Sequence, residues 1–118
     1  MPSDSTRFDF DRWRFDSGSA KLKPESSDQL DDVAAIFKAY PQLRGKVVGY
    51  TDAQGSAQAN LALSEARANA VKSELVARGV SDTRLTTEGY GEQNAIADNS
   101  TESGRADNRR AALQITDK

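Results

Sequence analysis

The chain has 118 residues, 36% of them hydrophobic and 29% charged, which fits one soluble globular domain with a modest core. A formal net charge of -2 leaves no basic footprint for nucleic acid, and no apolar run reaches the roughly 18 residues of a membrane span. The absence of both cysteine and histidine excludes disulfides and thiolate metal sites, and removes the commonest general base and metal ligand.

No secretory signal opens the chain, but a signal already cleaved would leave the same start, so the opening residues do not assign a compartment. Residues 1–11 are expected to be a flexible tail, with one domain over 12–118. In RFDFDRWRFDSG (Arg7 to Gly18) the aromatics alternate at Phe8 and Phe10 and again at Trp13 and Phe15. That period of two predicts a strand, with its ordered part near Arg12 to Asp16, ended by Ser17-Gly18. Pro24 then opens a helix where its missing N–H costs nothing, and Glu25 suits the first turn. Leu30, Val33, Ala34 and Phe37 follow at i, i+3, i+4 and i+7, an amphipathic stripe that Tyr40-Pro41 stops.

Lys46 to Thr51 predicts a second strand and Gly55 the turn after it. A second helix is predicted from about Asn60, its N-cap, to Arg78, with Leu61, Ala68, Val71 and Leu75 inward and Gly79 as the C-cap. A third strand covers Arg84 to Gly89, and the polar stretch from Gly91 to Asn108 is expected to be loop. A last strand runs from Arg110 to Thr116, with Ala111, Leu113 and Ile115 on one face. The expected fold is α+β in two layers: strand, helix, strand, helix, strand, strand, with two main helices on one face of a four-stranded mixed sheet.

Catalysis has little to work with. The serines have no histidine to activate them, the carboxylates form no argued pair, and no phosphate-cradling G-x-x-x-x-G-K-[ST] loop is present. Two places invite a binding reading. Asp52 stands where the second strand gives way to its loop, and Arg67 lies one turn after Leu63, bordering the apolar stripe of the second helix. These two can be a solvated pair, the arginine stem covering apolar surface. The alternative is that they hold a zwitterion, the guanidinium fork taking a carboxylate and the aspartate an ammonium. Three arginines also crowd Gly104 to Arg110, ordinarily a solvated face; the alternative turns Arg109 inward.

The segments together resemble the OmpA-like C-terminal domain, the peptidoglycan-associating module of Gram-negative envelopes. FDSGSAKLKPES (Phe15 to Ser26) resembles its opening strand and helix start. GYTDAQGSAQANLALSEARANAV (Gly49 to Val71) resembles its central signature, in which TD, G, N, LS and RA recur in order. GVSDTRLTTEGYGEQNAIADN and TESGRADNRR resemble its third-strand and closing blocks, so the resemblance covers residues 12–116. It implies a non-catalytic module without cofactor or metal, located in the periplasm and tied to the outer membrane through an anchor upstream. It further implies that Arg67 grips a carboxylate of diaminopimelate in the peptidoglycan stem peptide while Asp52 takes the ammonium. Phe15, Ser17 and Gly18 would line the pocket from the first strand, Thr51, Asn60 and Leu63 would border it, and Arg109 would approach from the last loop. A flagellar-stator anchoring domain shares the module and is the alternative; a cell-wall peptide-processing enzyme is disfavoured by the missing histidine and cysteine. Monomer and weak dimer both remain open. One departure stands out: the family usually places histidine before TD, and this chain has Tyr50, on the same strand face as Val48 and opposite Thr51.

Overall fold

Two long helices cover one face of a four-stranded sheet in the computed structural model, which describes residues 9–93 and 97–117. In chain order the elements are β1 (Asp9–Arg14), α1 (Ser27–Ala39), β2 (Arg44–Gly49), α2 (Ala57–Ala77), β3 (Leu85–Gly89), α3 (Glu102–Asn108) and β4 (Arg110–Asp117). The strands lie in the order β1-β4-β2-β3, with β4 antiparallel to both neighbours and β2 parallel to β3. The parallel pair requires a crossover, which α2 supplies. Among the described residues no helix is long and apolar enough to cross a membrane.

The core follows the sequence periodicity closely. Leu30, Val33, Ala34 and Phe37 of α1 are all buried, as are Ala68, Val71 and Leu75 of α2. They meet Trp13, Phe15, Val47, Leu85, Ala111 and Leu113 from the sheet, with Ile115 partly buried at the margin. Each fully buried Val, Leu or Phe among them contributes about 1.5–3 kcal/mol through removal of apolar surface from water. The other sheet face carries a smaller cluster of Val48, Tyr50 and Ala112 with Tyr90 packed against it, so Tyr50 does share a face with Val48.

Four expectations shift. β1 begins at Asp9 rather than Arg12, inside the stretch read as tail; residues 1–8 of that stretch lie outside the described residues. Pro24 opens a short 3-10 turn, Pro24–Ser26, and the α-helix proper starts at Ser27. The N-cap of α2 is Ser56, not Asn60: its hydroxyl accepts the Ala59 N–H at 3.1 Å, which starts the helix almost a turn earlier and leaves Leu61 exposed. The polar stretch before β4 contains α3, seven residues capped by Thr101, whose hydroxyl accepts from the Gly104 N–H at 3.0 Å.

A pair of glycines sets how near α2 lies to the sheet. Gly49 and Gly89 are register partners across the parallel strands. A methyl group on Gly49 would collide with the Ser64 carbonyl, and one on Gly89 with the Ser64 hydroxyl and the Glu65 amide. Two strands without side chains at this level therefore let α2 rest on backbone. Ser64 uses the proximity: its hydroxyl donates to the Leu61 carbonyl at 2.7 Å and accepts the Gly91 N–H at 2.8 Å. Arg67, three residues on, is delivered to the end of β2 by this contact. Gly49→Ala should cost about 1–3 kcal/mol, the range for overpacking a well-packed contact. It should appear as a lower urea midpoint with unchanged slope; an unchanged midpoint would show that the close approach is dispensable.

Candidate functional site

The strand ends and loops at one end of the sheet bring three charged groups together under the turn that follows β1. Arg67 reaches this place from α2 and is wholly enclosed. Its Nε donates to the Ser19 carbonyl at 2.8 Å, Nη1 to the Tyr50 carbonyl at 2.9 Å and Nη2 to the Asp16 carbonyl at 3.0 Å. The guanidinium carbon stands 5.2 Å from the centre of the Phe15 ring. Its five N–H donors thus include three spent on backbone. Burial pulls its pKa down to about 10; Asp52 opposes that pull and the neighbouring Arg109 adds to it. At neutral pH the side chain keeps its charge.

Asp52 and Arg109 form the ion pair of the site. Arg109 Nη1 meets Asp52 Oδ2 at 3.0 Å, and both side chains are only 8% exposed. Asp52 Oδ1 accepts the Gln54 N–H at 3.0 Å, and the preceding Thr51 hydroxyl donates to the Asp52 carbonyl at 2.8 Å. Arg109 is fixed at two further points: Nε donates to the Phe15 carbonyl at 3.1 Å, and Nη2 meets Glu102 Oε2 at 2.7 Å. In return the Phe15 N–H donates to the Arg109 carbonyl at 2.9 Å, which stitches the end of β1 to the start of β4. Hydrogen bonding to Glu102 first, and then to Asp52, raises the Arg109 pKa against the opposing effect of burial. A buried pair of this kind costs heavily when one partner is removed, because the other charge is stranded.

The residues named from the sequence divide into three groups. Asp52, Arg67, Arg109 and Phe15 are in one cluster, and Thr51 buttresses it. Arg109 is buried, so the solvated-face reading of its run is corrected; what turns it inward is Asp52, Glu102 and the Phe15 carbonyl. Ser17 and Gly18 are exposed, and Gly18 has φ +68 in the turn whose flanking carbonyls, of Asp16 and Ser19, Arg67 holds. Asn60 is buried, but its amide faces the next loop, donating to Glu92 Oε1 at 3.2 Å, and Leu63 is half-buried; neither bonds to the charged trio. Arg67 and Asp52 are linked through space and through Arg109 rather than by a direct salt bridge, and Arg67 is not a surface arginine.

Sequence reasoning missed Glu102 and the role of the Tyr50 carbonyl. Glu102 follows the cap residue of α3, a signal available in the Thr-Glu-Ser-Gly stretch; the carbonyl roles leave no mark in a side-chain pattern. Tyr50 itself turns its ring to the far side of the sheet, where the Arg110 guanidinium carbon lies 3.7 Å from the ring centre and the Tyr90 ring 5.6 Å away. The unusual residue thus supplies its backbone to the site and its ring to the opposite face. Among the described residues no group of three acidic side chains is placed to hold a metal ion.

Comparison with known proteins agrees with this architecture. The family model described as the OmpA family matches residues 14–109, and the chain belongs to that family. It is 44% identical over 102 residues to a probable lipoprotein, YiaD, of Escherichia coli, covering 86% of this chain and 47% of that protein. It is 43% identical over 101 residues to the peptidoglycan-binding protein ArfA of Mycobacterium tuberculosis, covering 86% of this chain and 31% of that one. The chain therefore spans half or less of the length of these relatives. The crystal structure of the peptidoglycan-associated lipoprotein from Burkholderia pseudomallei superimposes with a TM-score of 0.86 at 32% identity, over 88% of each chain.

The enclosure of Arg67 makes it a structural residue as well as a charge. Arg67→Ala should lose about 3–5 kcal/mol of stability, through the volume removed and the carbonyls left without donors. Arg67→Lys should recover only part, because an ammonium on a flexible stem cannot reproduce the planar fork. Urea unfolding measures both; a wild-type midpoint for Arg67→Ala would show that the three carbonyl bonds carry no stability.

Proposed function

We propose that this OmpA-family chain is a non-catalytic peptidoglycan-binding module that recognises diaminopimelate of the stem peptide and tethers an envelope protein, on the periplasmic side of the outer membrane, to the cell wall. The observation that carries the reading is the buried trio of Asp52, Arg67 and Arg109 under an exposed turn. Diaminopimelate presents an ammonium and a carboxylate on one carbon. A site for it needs an anion and cations fixed at the spacing of such a head group and shielded from water, where charge-assisted hydrogen bonds are strongest. In this reading Asp52 takes the ammonium. The carboxylate goes to the guanidinium cluster, to Arg109 at the mouth and to the N–H groups of Arg67 not spent on backbone. Arg67 lies enclosed beneath the turn of Ser17, Gly18 and Ser19, which a ligand has to displace to reach it.

The names of the relatives support the reading: one is a peptidoglycan-binding protein and one a peptidoglycan-associated lipoprotein. The chemistry of the cluster supports the absence of turnover. The Thr51 hydroxyl is donated to a backbone carbonyl, and the chain contains no histidine or cysteine to activate a hydroxyl. Binding, with no bond made or broken, is what remains.

The test is retention on insoluble peptidoglycan, competed with free diaminopimelate. Asp52→Asn keeps the shape of the side chain and removes its charge. Loss of a charge-assisted hydrogen bond worth about 1.5–3 kcal/mol should weaken retention about 10- to 100-fold. Peptidoglycan carrying lysine in place of diaminopimelate offers the ammonium but no adjoining carboxylate, and should be retained poorly by the wild type. Equal retention on both polymers would remove diaminopimelate from the reading and leave cell-wall binding; full retention of folded Asp52→Asn would remove Asp52 from the site.

A further inference from the structure

Glu102 stands where a ligand would compete with it. Arg109 is held between two carboxylates that differ sharply in setting. Asp52 is enclosed, with a side chain 8% exposed and a second bond from Gln54, whereas the Glu102 side chain is 66% exposed. Resting on the site reading above, we propose that Glu102 is an internal substitute for the ligand carboxylate: it occupies Arg109 in the free protein and is displaced when a ligand bearing a free carboxylate arrives.

Three features of the geometry support an exchange at this point rather than a fixed contact. The Arg109 Nη2 to Glu102 Oε2 separation of 2.7 Å is that of a charge-assisted hydrogen bond, so a carboxylate is the group this donor takes. Arg109 keeps two anchors when Glu102 leaves, because Nε is bonded to the Phe15 carbonyl and Nη1 to Asp52, and Nη2 is the donor that Glu102 holds. Glu102 is not stranded by leaving, because its other oxygen, Oε1, already lies 3.3 Å from Arg105 Nε, one helical turn away. An ion pair with one solvent-exposed partner is weak, so its loss is a small penalty on binding. Arg109 chiefly, with help from Arg105, holds the Glu102 carboxyl below the usual carboxylate range, so the competitor is charged at neutral pH.

The consequence is selectivity. A ligand with a carboxylate can take over Arg109. A ligand in which that carboxylate is a neutral primary amide cannot expel a charged glutamate, and binds with Glu102 still in place. Removing the competitor should favour the first ligand only.

Calorimetric titration of the whole chain with diaminopimelate and with its diamide, which has no free carboxylate, tests this directly. Glu102→Gln keeps the length of the side chain and removes its charge; Glu102→Ala removes the group. Both should bind the free acid about two- to fivefold more tightly than wild type, the range that the strength of an exposed ion pair allows. Affinity for the diamide should not change. Free-acid affinity that stays level or falls in both variants would overturn the proposal and make Glu102 a positioning residue for Arg109. Asp52→Asn, measured alongside, separates the two readings: its loss of binding is required by the site itself, and its full retention would fail the site whatever Glu102 does.

Discussion

One buried guanidinium ties the binding end of this domain together. Arg67 grows from α2, but its three hydrogen bonds go to carbonyls of the turn after β1 and of the end of β2. Phe15 and Tyr50 in these segments also donate their N–H groups to the Arg109 and Arg110 carbonyls at the start of β4, so Arg67 closes an arrangement that the sheet begins. A cation surrounded by carbonyl dipoles is a partial answer to desolvation, as its lowered pKa records. A neutral side chain of the same volume would pack as well and orient nothing. The charge therefore serves the fold first, and the glycine pair beneath Ser64 is what lets the helix bring it near enough.

Around that fixed point the other two charged groups have room to differ in role. Asp52 and Arg109 are each locked by backbone on one side and by each other on the other. The outermost carboxylate, Glu102, is held only by side chains. The cluster thus runs from members anchored to backbone, Arg67, Asp52 and Arg109, to one held by side chains alone, Glu102. Such a gradient suits recognition: the interior members are preorganised, so little ordering remains to oppose binding, while the outer member can move aside.

Much of the fold was legible because it rests on local rules. The stripe Leu30, Val33, Ala34, Phe37 and the alternation Ala111, Leu113, Ile115 are periodic signals, and both fall in the core. The misreadings came where two local rules competed. Asn60 and Ser56 are both good helix caps, and the earlier one won because Gly55, at φ +88, turns the chain into the helix there. The start of α3 was hidden in a stretch poor in apolar residues. Of the candidate site, Asp52 and Arg67 stood out from the residues themselves, whereas Phe15 entered only through the family resemblance. No pattern within reach of Arg109 reveals that its partners lie 57 and 94 residues away, and no side-chain code marks a carbonyl as a ligand.

That span of 94 residues between Phe15 and Arg109 has a consequence for the order in which the protein comes into being. The cluster is assembled from the first strand, the second strand, the second helix and the approach to the last strand, and β4 lies between β1 and β2 in the sheet. Asp52 and Arg67 therefore belong to no completed cluster until Arg109 and β4, the strand that seats β1, are in place. In this topology the charged cluster forms when the sheet is complete rather than building up strand by strand.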